Sequence, residues 1–372
     1  MQPQIAEFQQ SIDDVVMLQD YPNAVAVEHN ILIYSAGQLR SDALNKTAIQ
    51  LEWAKCWRRG PGVLMIKGFF TDTTCVDAMS QVFQQILDAE RHVAIGEGDH
   101  FAASGTNQRI WNALEKAAIL APAVFVDYYS NPLLGWAAEA WLGPGYQLTA
   151  QVNSVSPGGK AQIVHRDYHL GFQEDRAVAR FPRHAQAMSA MLTLQGAIAH
   201  VDMAIASGPT WLLPFSQRYD LGYLLYRQPE LIALFEDQSV QLPLTKGDAI
   251  FFSPALMHAA GANQTTEVQR LANLLQISSP FAKPMERLDH QRMQLALYNT
   301  LSVADLDEEA LDVLATIISD SYPFPTNLDR DVPVGSITPT SGRDLLLQAL
   351  HQGHDRTTLE RQLQDYYWRR ET

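Results

Sequence analysis

Between positions 147 and 278 the chain is a series of short apolar or alternating runs cut by glycine and proline turns, and this texture constrains its fold more than any other feature. The runs lie at 147–155, 161–165, 189–197, 210–213, 240–244, 249–252 and 270–277. Between them stand Pro157-Gly158-Gly159, Ser207-Gly208-Pro209 and Lys246-Gly247-Asp248. Glycine reaches positive φ without steric cost and proline presets a turn, so such triplets end strands rather than extend them. Many short strands with this punctuation predict a β-sandwich or jelly roll.

Both flanks read as helical. Apolar positions Leu44, Ala48, Leu51 and Ala54 give a helix over 41–59 that stops at Gly60. A short strand is expected over 62–69. Val76, Met79, Val82, Phe83, Ile86 and Leu87 carry the 3.6 period through 71–91, and a further helix over 131–142 closes at Gly143-Pro144-Gly145. Beyond Pro280, amphipathic helices are expected over 305–319 and 344–351, separated by a polar, proline-rich stretch at 322–341. The expected architecture is α+β. Residues 1–280 form one helix-flanked jelly-roll domain with core strands over about 147–278, and residues 281–372 form a helical extension packed on it.

Length and composition suit a large core: 372 residues, 47% hydrophobic and 18% charged. A formal net charge of -14 opposes nucleic acid and anionic membrane surfaces, so the expected partner is a small molecule. Charge does not say which one, and composition does not speak to oligomeric state. No run approaches the ~20 apolar residues that span a bilayer. The first residues have neither a basic start nor an apolar h-region, and Cys56 and Cys75 make no disulfide framework. A cytoplasmic location with two packed thiols is expected.

Chemistry concentrates in three places. In the run 147–155, one face carries Leu148, Ala150 and Val152, and the other Thr149, Gln151 and Asn153. Taken alone, the polar face serves equally well as a solvated exterior or as the lining of a ligand cavity. Next comes His165-Arg166-Asp167. In extended chain, residues i and i+2 point the same way, so imidazole and carboxylate can take adjacent sites on one metal. A distant His completing a facial triad leaves positions open, as a non-haem iron(II) oxygenase requires. The spacing is not unique, because His200-Val201-Asp202 repeats it. Third, Lys246-Gly247-Asp248 leads through a strand to His258 and then to Arg270, whose alternation places Arg270, Ala272, Leu274 and Gln276 on one face. An arginine there is costly unless paired. A carboxylate suits its planar fork, from a ligand or from a structural Asp or Glu.

Taken in order, Gln151, Asn153, Pro157-Gly158, His165-x-Asp167, His200-Val201-Asp202, Ser207-Gly208-Pro209, Leu213-Pro214-Phe215-Ser216, Lys246-Gly247-Asp248, His258 and Arg270 resemble the phytanoyl-CoA dioxygenase family of 2-oxoglutarate oxygenases. The resemblance covers about 62–278, more than half the chain. It implies a double-stranded β-helix, that is, a jelly roll wrapped by helices. It also implies Fe(II) with 2-oxoglutarate and O2 as co-substrates. By resemblance, His165, Asp167 and His258 are the iron ligands, Arg270 clamps the distal carboxylate of 2-oxoglutarate, and Asn153 and Gln151 contact the co-substrate. Gln195 stands where relatives place a pocket side chain. His200 and Asp202 then serve the turn before Ser207-Gly208-Pro209.

One departure is Ala259-Ala260 after His258, where relatives carry a hydroxyl residue that touches the co-substrate. Asp167 keeps a carboxylate that related halogenases lack, so hydroxylation of an unactivated C–H is the expected outcome. The cations Arg176, Arg180 and Arg183, between the first ligands and the next strand, suggest a lid facing a small acidic metabolite; an ordinary solvated loop is the competing account. His169 is close enough in sequence to support Asp167 or substrate, with a plain loop histidine the equal alternative. The other histidines, including His29, His92, His100, His290, His351 and His354, have no partner at metal spacing. Two rival classes remain: a cupin-like metal dioxygenase or isomerase without 2-oxoglutarate, which has no reason to keep Arg270, and a silent binding protein on the same fold, which has no reason to keep intact ligands.

Overall fold

The structure is a computed structural model describing residues 2–41, 45–91 and 107–371. Leu44, His92 and His100 lie outside the described residues. The strands are β1 (Ala26–Glu28), β2 (Ile31–Ser35), β3 (Val63–Lys67), β4 (Asn107–Ile110), β5 (Gln147–Val155), β6 (Thr193–Ala199), β7 (Thr210–Leu212), β8 (Ala249–Phe252), β9 (His258–Ala260) and β10 (Arg270–Ser278).

β10 is the axis of the large sheet. It pairs antiparallel with β5 along its whole length, from Arg270↔Val155 to Ser278↔Gln147, and on its other side with β6. The full order is β1-β2-β3-β8-β6-β10-β5-β4. A second sheet pairs β7 with β9, and isolated bridges at His165↔His258, Leu212↔Val240 and Met203↔Leu244 extend it. Side chains from both sheets line one cavity, so the two face each other as a double-stranded β-helix.

Helices cover the outer face of the large sheet. The Trp57 indole, on helix Lys46–Arg59, donates to the Phe251 carbonyl at 3.2 Å, and Trp141, on helix Pro132–Leu142, donates to the Thr193 carbonyl at 2.9 Å. Leu148, Ala150 and Val152 of β5 join that helical core, while Gln151 and Asn153 turn to the cavity. The polar face of β5 is therefore the cavity lining. The segment after Pro280 contributes Met293, Leu297, Leu314, Ile317, Leu346 and Leu363 to the same apolar cluster. Glu309 of helix Glu308–Ile318 accepts from Trp136 Nε1 at 2.8 Å and pairs with Lys46 at 2.9 Å, fastening the extension to the N-terminal helices.

Three expected strands are altered. Over 161–165 only His165 makes a bridge, and over 240–244 only Val240 and Leu244 do. The run from 189 opens inside helix Arg183–Met191, which buries Gln186 and Ser189, and the strand starts at Thr193. The β1–β2 hairpin went unread because its two-residue turn is His29-Asn30, at φ 51° and 64°. A primed turn usually advertises itself through glycine. Both cysteines are free, Cys56 buried and Cys75 half-buried. Among the described residues no helix is long and apolar enough to cross a membrane.

Candidate metal and co-substrate site

His165 and His258 face each other across a two-way bridge, with His165 N donating to the His258 carbonyl at 2.9 Å and His258 N to the His165 carbonyl at 3.1 Å. Each imidazole is then set by its own backbone. His165 Nδ1 lies 2.7 Å from the Ile163 carbonyl and His258 Nδ1 2.8 Å from that of Leu256. A carbonyl only accepts, so each Nδ1 carries the proton and each Nε2 keeps its lone pair for a ligand. Both Nε2 atoms point at Asp167, 3.8 Å and 3.5 Å from its carboxylate oxygens. The three ligand atoms all lie within 4.8 Å of one another, and all three residues are buried.

Asp167 is held from three sides. Its amide donates to the Pro254 carbonyl at 2.9 Å, and its own carbonyl accepts from Tyr223 Oη at 3.1 Å. Gln195 Nε2 donates to Oδ2, while Oδ1 has no hydrogen-bond partner among the described residues. Burial alone would raise this carboxyl; positive charge between it and the His165 and His258 rings, carried by ring protons or by a cation seated on neutral Nε2 atoms, outweighs burial together with the Gln195 N–H and holds the group ionised, well below the usual carboxylate range. Two neutral imidazoles and a carboxylate with an unused oxygen fit a divalent cation with open coordination positions.

Arg270 lies farther along the same cavity. Nη1 donates to the carbonyls of Ser207 at 2.8 Å, Gly261 at 2.9 Å, and Gly208. Gly208 must be glycine there: its φ is +75°, and a Cβ would stand 2.3 Å from the Ala262 carbonyl. No carboxylate lies within ion-pairing distance of Arg270 among the described residues, and burial pushes its pKa down to about 10. A desolvated guanidinium held only by backbone carbonyls fits a carboxylate-bearing ligand. The donor set thus suits a metal at one end and a dicarboxylate reaching to the other.

The phytanoyl-CoA dioxygenase family matches residues 59–272, more than half of the chain. The protein belongs to this family.

As a family member it is a dioxygenase-type enzyme using iron(II), 2-oxoglutarate and O2. Over 223 residues the chain is 26% identical to dioxygenase FrzG of Cladobotryum sp, a match covering 57% of this chain and 69% of that protein. It is 27% identical over 183 residues to the uncharacterized protein YJR154W of Saccharomyces cerevisiae, 49% of this chain but only 47% of that one. Among solved structures it is similar to the non-heme alpha ketoglutarate dependent epimerase SnoN from nogalamycin biosynthesis, with 18% identity and a TM-score of 0.43 over 63% of this chain and 84% of that one. The carbocyclase SnoK gives 19% identity and a TM-score of 0.43 over 64% and 85%.

The family member's cavity is about 400 Å³. Arg270, Ala272, Leu274 and Gln276 all line it, as the alternation of β10 predicts, together with Gln151, Asn153 and Gln195. Gln195 reaches Asp167 and so orients its carboxylate. Asn153 Oδ1 is buried with no partner among the described residues, whereas Gln151 is engaged, accepting from Arg109 Nη1 at 3.3 Å and turned toward Met285 Sδ at 3.1 Å. Ala260 lines the cavity and pairs with Thr210, so a hydroxyl residue is present across this ladder although none follows His258.

Arg176, Arg180 and Arg183 do not reach the cavity. All three are exposed, and Arg183 pairs with Asp220 at 3.1 Å. Helices Asp175–Val178 and Arg183–Met191 bury Val178, Gln186 and Ser189, which turns the arginines to water. From the same segment only Phe172 lines the cavity. His169 is half-buried in the turn after Asp167, at φ 36°, and does not line it. Arg109, Trp111, Met285 and Glu286, which do, carried no signal in the sequence.

His200 belongs to a different network. Its Nδ1 is 2.8 Å from Ser80 Oγ and its Nε2 2.8 Å from Tyr128 Oη, while exposed Asp202 accepts from Lys246 N at 2.8 Å. Burial pushes the His200 pKa down to about 3. The unfolded chain therefore takes up a proton below about pH 6.5 that the folded protein refuses, and this group destabilises the fold as pH falls from there toward 3. Between pH 7.5 and 5 the expected loss is about 2 kcal/mol. Denaturant unfolding at both pH values should show that difference shrinking in His200→Gln; an unchanged difference would remove His200 from the account.

Proposed function

We propose that His165, Asp167 and His258 hold iron(II), that Arg270 holds the distal carboxylate of 2-oxoglutarate with Asn153 and Gln151 beside it, and that the enzyme hydroxylates an unactivated C–H of a small molecule with release of succinate and CO2. The observation that carries this reading is the pairing, in one cavity, of a three-donor cluster with a buried guanidinium that has no carboxylate partner among the described residues. Bound iron and 2-oxoglutarate would supply the oxidising power for C–H cleavage. The chain's own residues position and enclose. The Ile163 and Leu256 carbonyls fix the imidazole tautomers, Gln195 aims the Asp167 carboxylate, and the three carbonyls around Arg270 fix the plane of its fork. Ile198, Ile250, Phe252 and Leu274 keep the walls apolar, which excludes water from the reacting C–H. Residues 281–372 are read as part of the same domain, since they share its apolar cluster.

An acidic substrate draws no support from Arg176, Arg180 and Arg183, which point to water. Arg270 is what separates this reading from a cupin-like enzyme without 2-oxoglutarate. Anaerobic addition of 2-oxoglutarate to the iron(II)-loaded protein should produce a weak visible charge-transfer band, and admitting O2 should yield succinate. Iron bound with no band overturns the reading.

A further inference from the structure

We infer that Glu286 is the substrate-recognition residue of this cavity and receives a protonated primary or secondary amine on an otherwise apolar small molecule. The inference rests on the cavity being the substrate site proposed above.

Glu286 lines the cavity wall with Gln151, Met285 and Trp111. It is fixed rather than free to swing, because Oε1 accepts from the backbone N–H of Asn112 at 2.7 Å. The other oxygen, Oε2, is enclosed and has no hydrogen-bond partner among the described residues. No cation among the described residues lies within ion-pairing distance. Lys116, on the neighbouring helix Ala113–Leu120, is taken by Glu90, and Arg109, on β4, donates to Gln151 and stacks on Trp111. Burial first of all pushes the Glu286 carboxyl up, to about 7, against the pull of Asn112, Gln151, Lys116 and Arg109. A buried carboxylate left so is unfavourable unless a ligand brings the missing charge or donor.

Two further polar atoms of the same cavity ask for the same chemistry. Gln195 spends its amide N–H on Asp167, which leaves its Oε1 as a buried acceptor without a donor among the described residues. Gln276 is its cross-strand partner, and Gln276 Oε1 is likewise buried and unpartnered. An unpaired buried acceptor is unfavourable, and a ligand N–H would satisfy it. This subsite shares its cavity with the three-donor cluster, since Glu286, Gln195, His165, Asp167 and His258 all line it. The remaining wall, with Trp111, Phe172, Met285 and Leu274, offers apolar contact. One fixed anion, two acceptors and apolar surroundings describe a site for an alkyl or aryl amine, not for a second carboxylate.

The test is a panel of small aryl and alkyl amines, each paired with the alcohol and the carboxylic acid of the same skeleton, 2-phenylethylamine, 2-phenylethanol and 3-phenylpropionic acid being one set. Binding is read at pH 8 by calorimetry on the iron(II)- and 2-oxoglutarate-loaded protein without O2, and turnover by succinate release after O2 is admitted. Amines should bind roughly 10-fold or more tighter than their paired alcohols, as expected for a buried charge pair. Glu286→Gln, neutral and of the same shape, should erase that preference; Glu286→Asp should keep the charge and part of the preference, and melting curves of both variants verify folding. A panel in which no amine outbinds its alcohol, or a preference that survives in folded Glu286→Gln, overturns the proposal. If the charge-transfer band is present in wild type while amines show no preference, only the amine reading fails; if the band is absent, the oxygenase reading beneath it fails.

Discussion

Asp167→Ala should strip iron(II) from the protein, while Asp202→Ala leaves iron content unchanged. The two residues stand at the same spacing from a histidine, so the pair of variants isolates tertiary placement from local motif. Asp167 supplies the sole carboxylate of the three-donor cluster, and its Oδ1 has no other use among the described residues. Without it, two neutral imidazoles remain, with no anion to offset the charge of the metal. Removing even an outer hydrogen-bond partner of a metal ligand typically costs about 10–100-fold in affinity, so losing the ligand itself should exceed roughly 100-fold. Among the described residues Asp202 accepts only from the Lys246 amide, in an exposed turn. Iron per chain after gel filtration measures both. Iron retained in Asp167→Ala and lost in Asp202→Ala would reverse the assignment of the two His-x-Asp pairs.

The second large effect is expected at Arg270. Arg270→Leu should weaken 2-oxoglutarate binding by about 3 kcal/mol, or roughly 100-fold, because it removes one partner of a buried charge pair. Iron content should hold, since Arg270 touches none of the three ligands. Leucine also leaves the carbonyls of Ser207, Gly208 and Gly261 without their donor, so melting should fall as well. Arg270→Lys separates the two losses. It keeps the charge but not the planar fork, and it should recover stability more than co-substrate affinity. The midpoint of the charge-transfer titration is the readout. A midpoint that stays put in Arg270→Leu would mean that the co-substrate carboxylate is held elsewhere.

How much was legible differs residue by residue. The faces of β5 and β10 could be read because side-chain direction alternates with a period of two, which is a local property of extended chain. Gln151, Asn153, Ala272, Leu274 and Gln276 all fall where that alternation sends them. The helix–strand switch at 189–193 could not, because Ser189, Ala190 and Met191 fit either state and the buried helix face decides. The arginines of 173–186 follow the solvated-loop account rather than the lid, for a related reason. Nearness in sequence to Asp167 says little about nearness in space once two short helices intervene.

The sequence by itself determined the alternating strands, the turn triplets that separate them, and a set of ligand-type residues in an order resembling one family. Those features depend on backbone sterics and on neighbours a few residues away. Only the tertiary structure decided which His-x-Asp pair meets His258, that Gln195 steadies Asp167, and that Arg109 and Glu286 complete the cavity wall. His165 meets His258 through a cross-strand bridge, Arg109 arrives on an edge strand paired with β5, and Glu286 comes from beyond the last strand. Contacts of that kind follow from how the sheets close on each other, and no local pattern of residues encodes them.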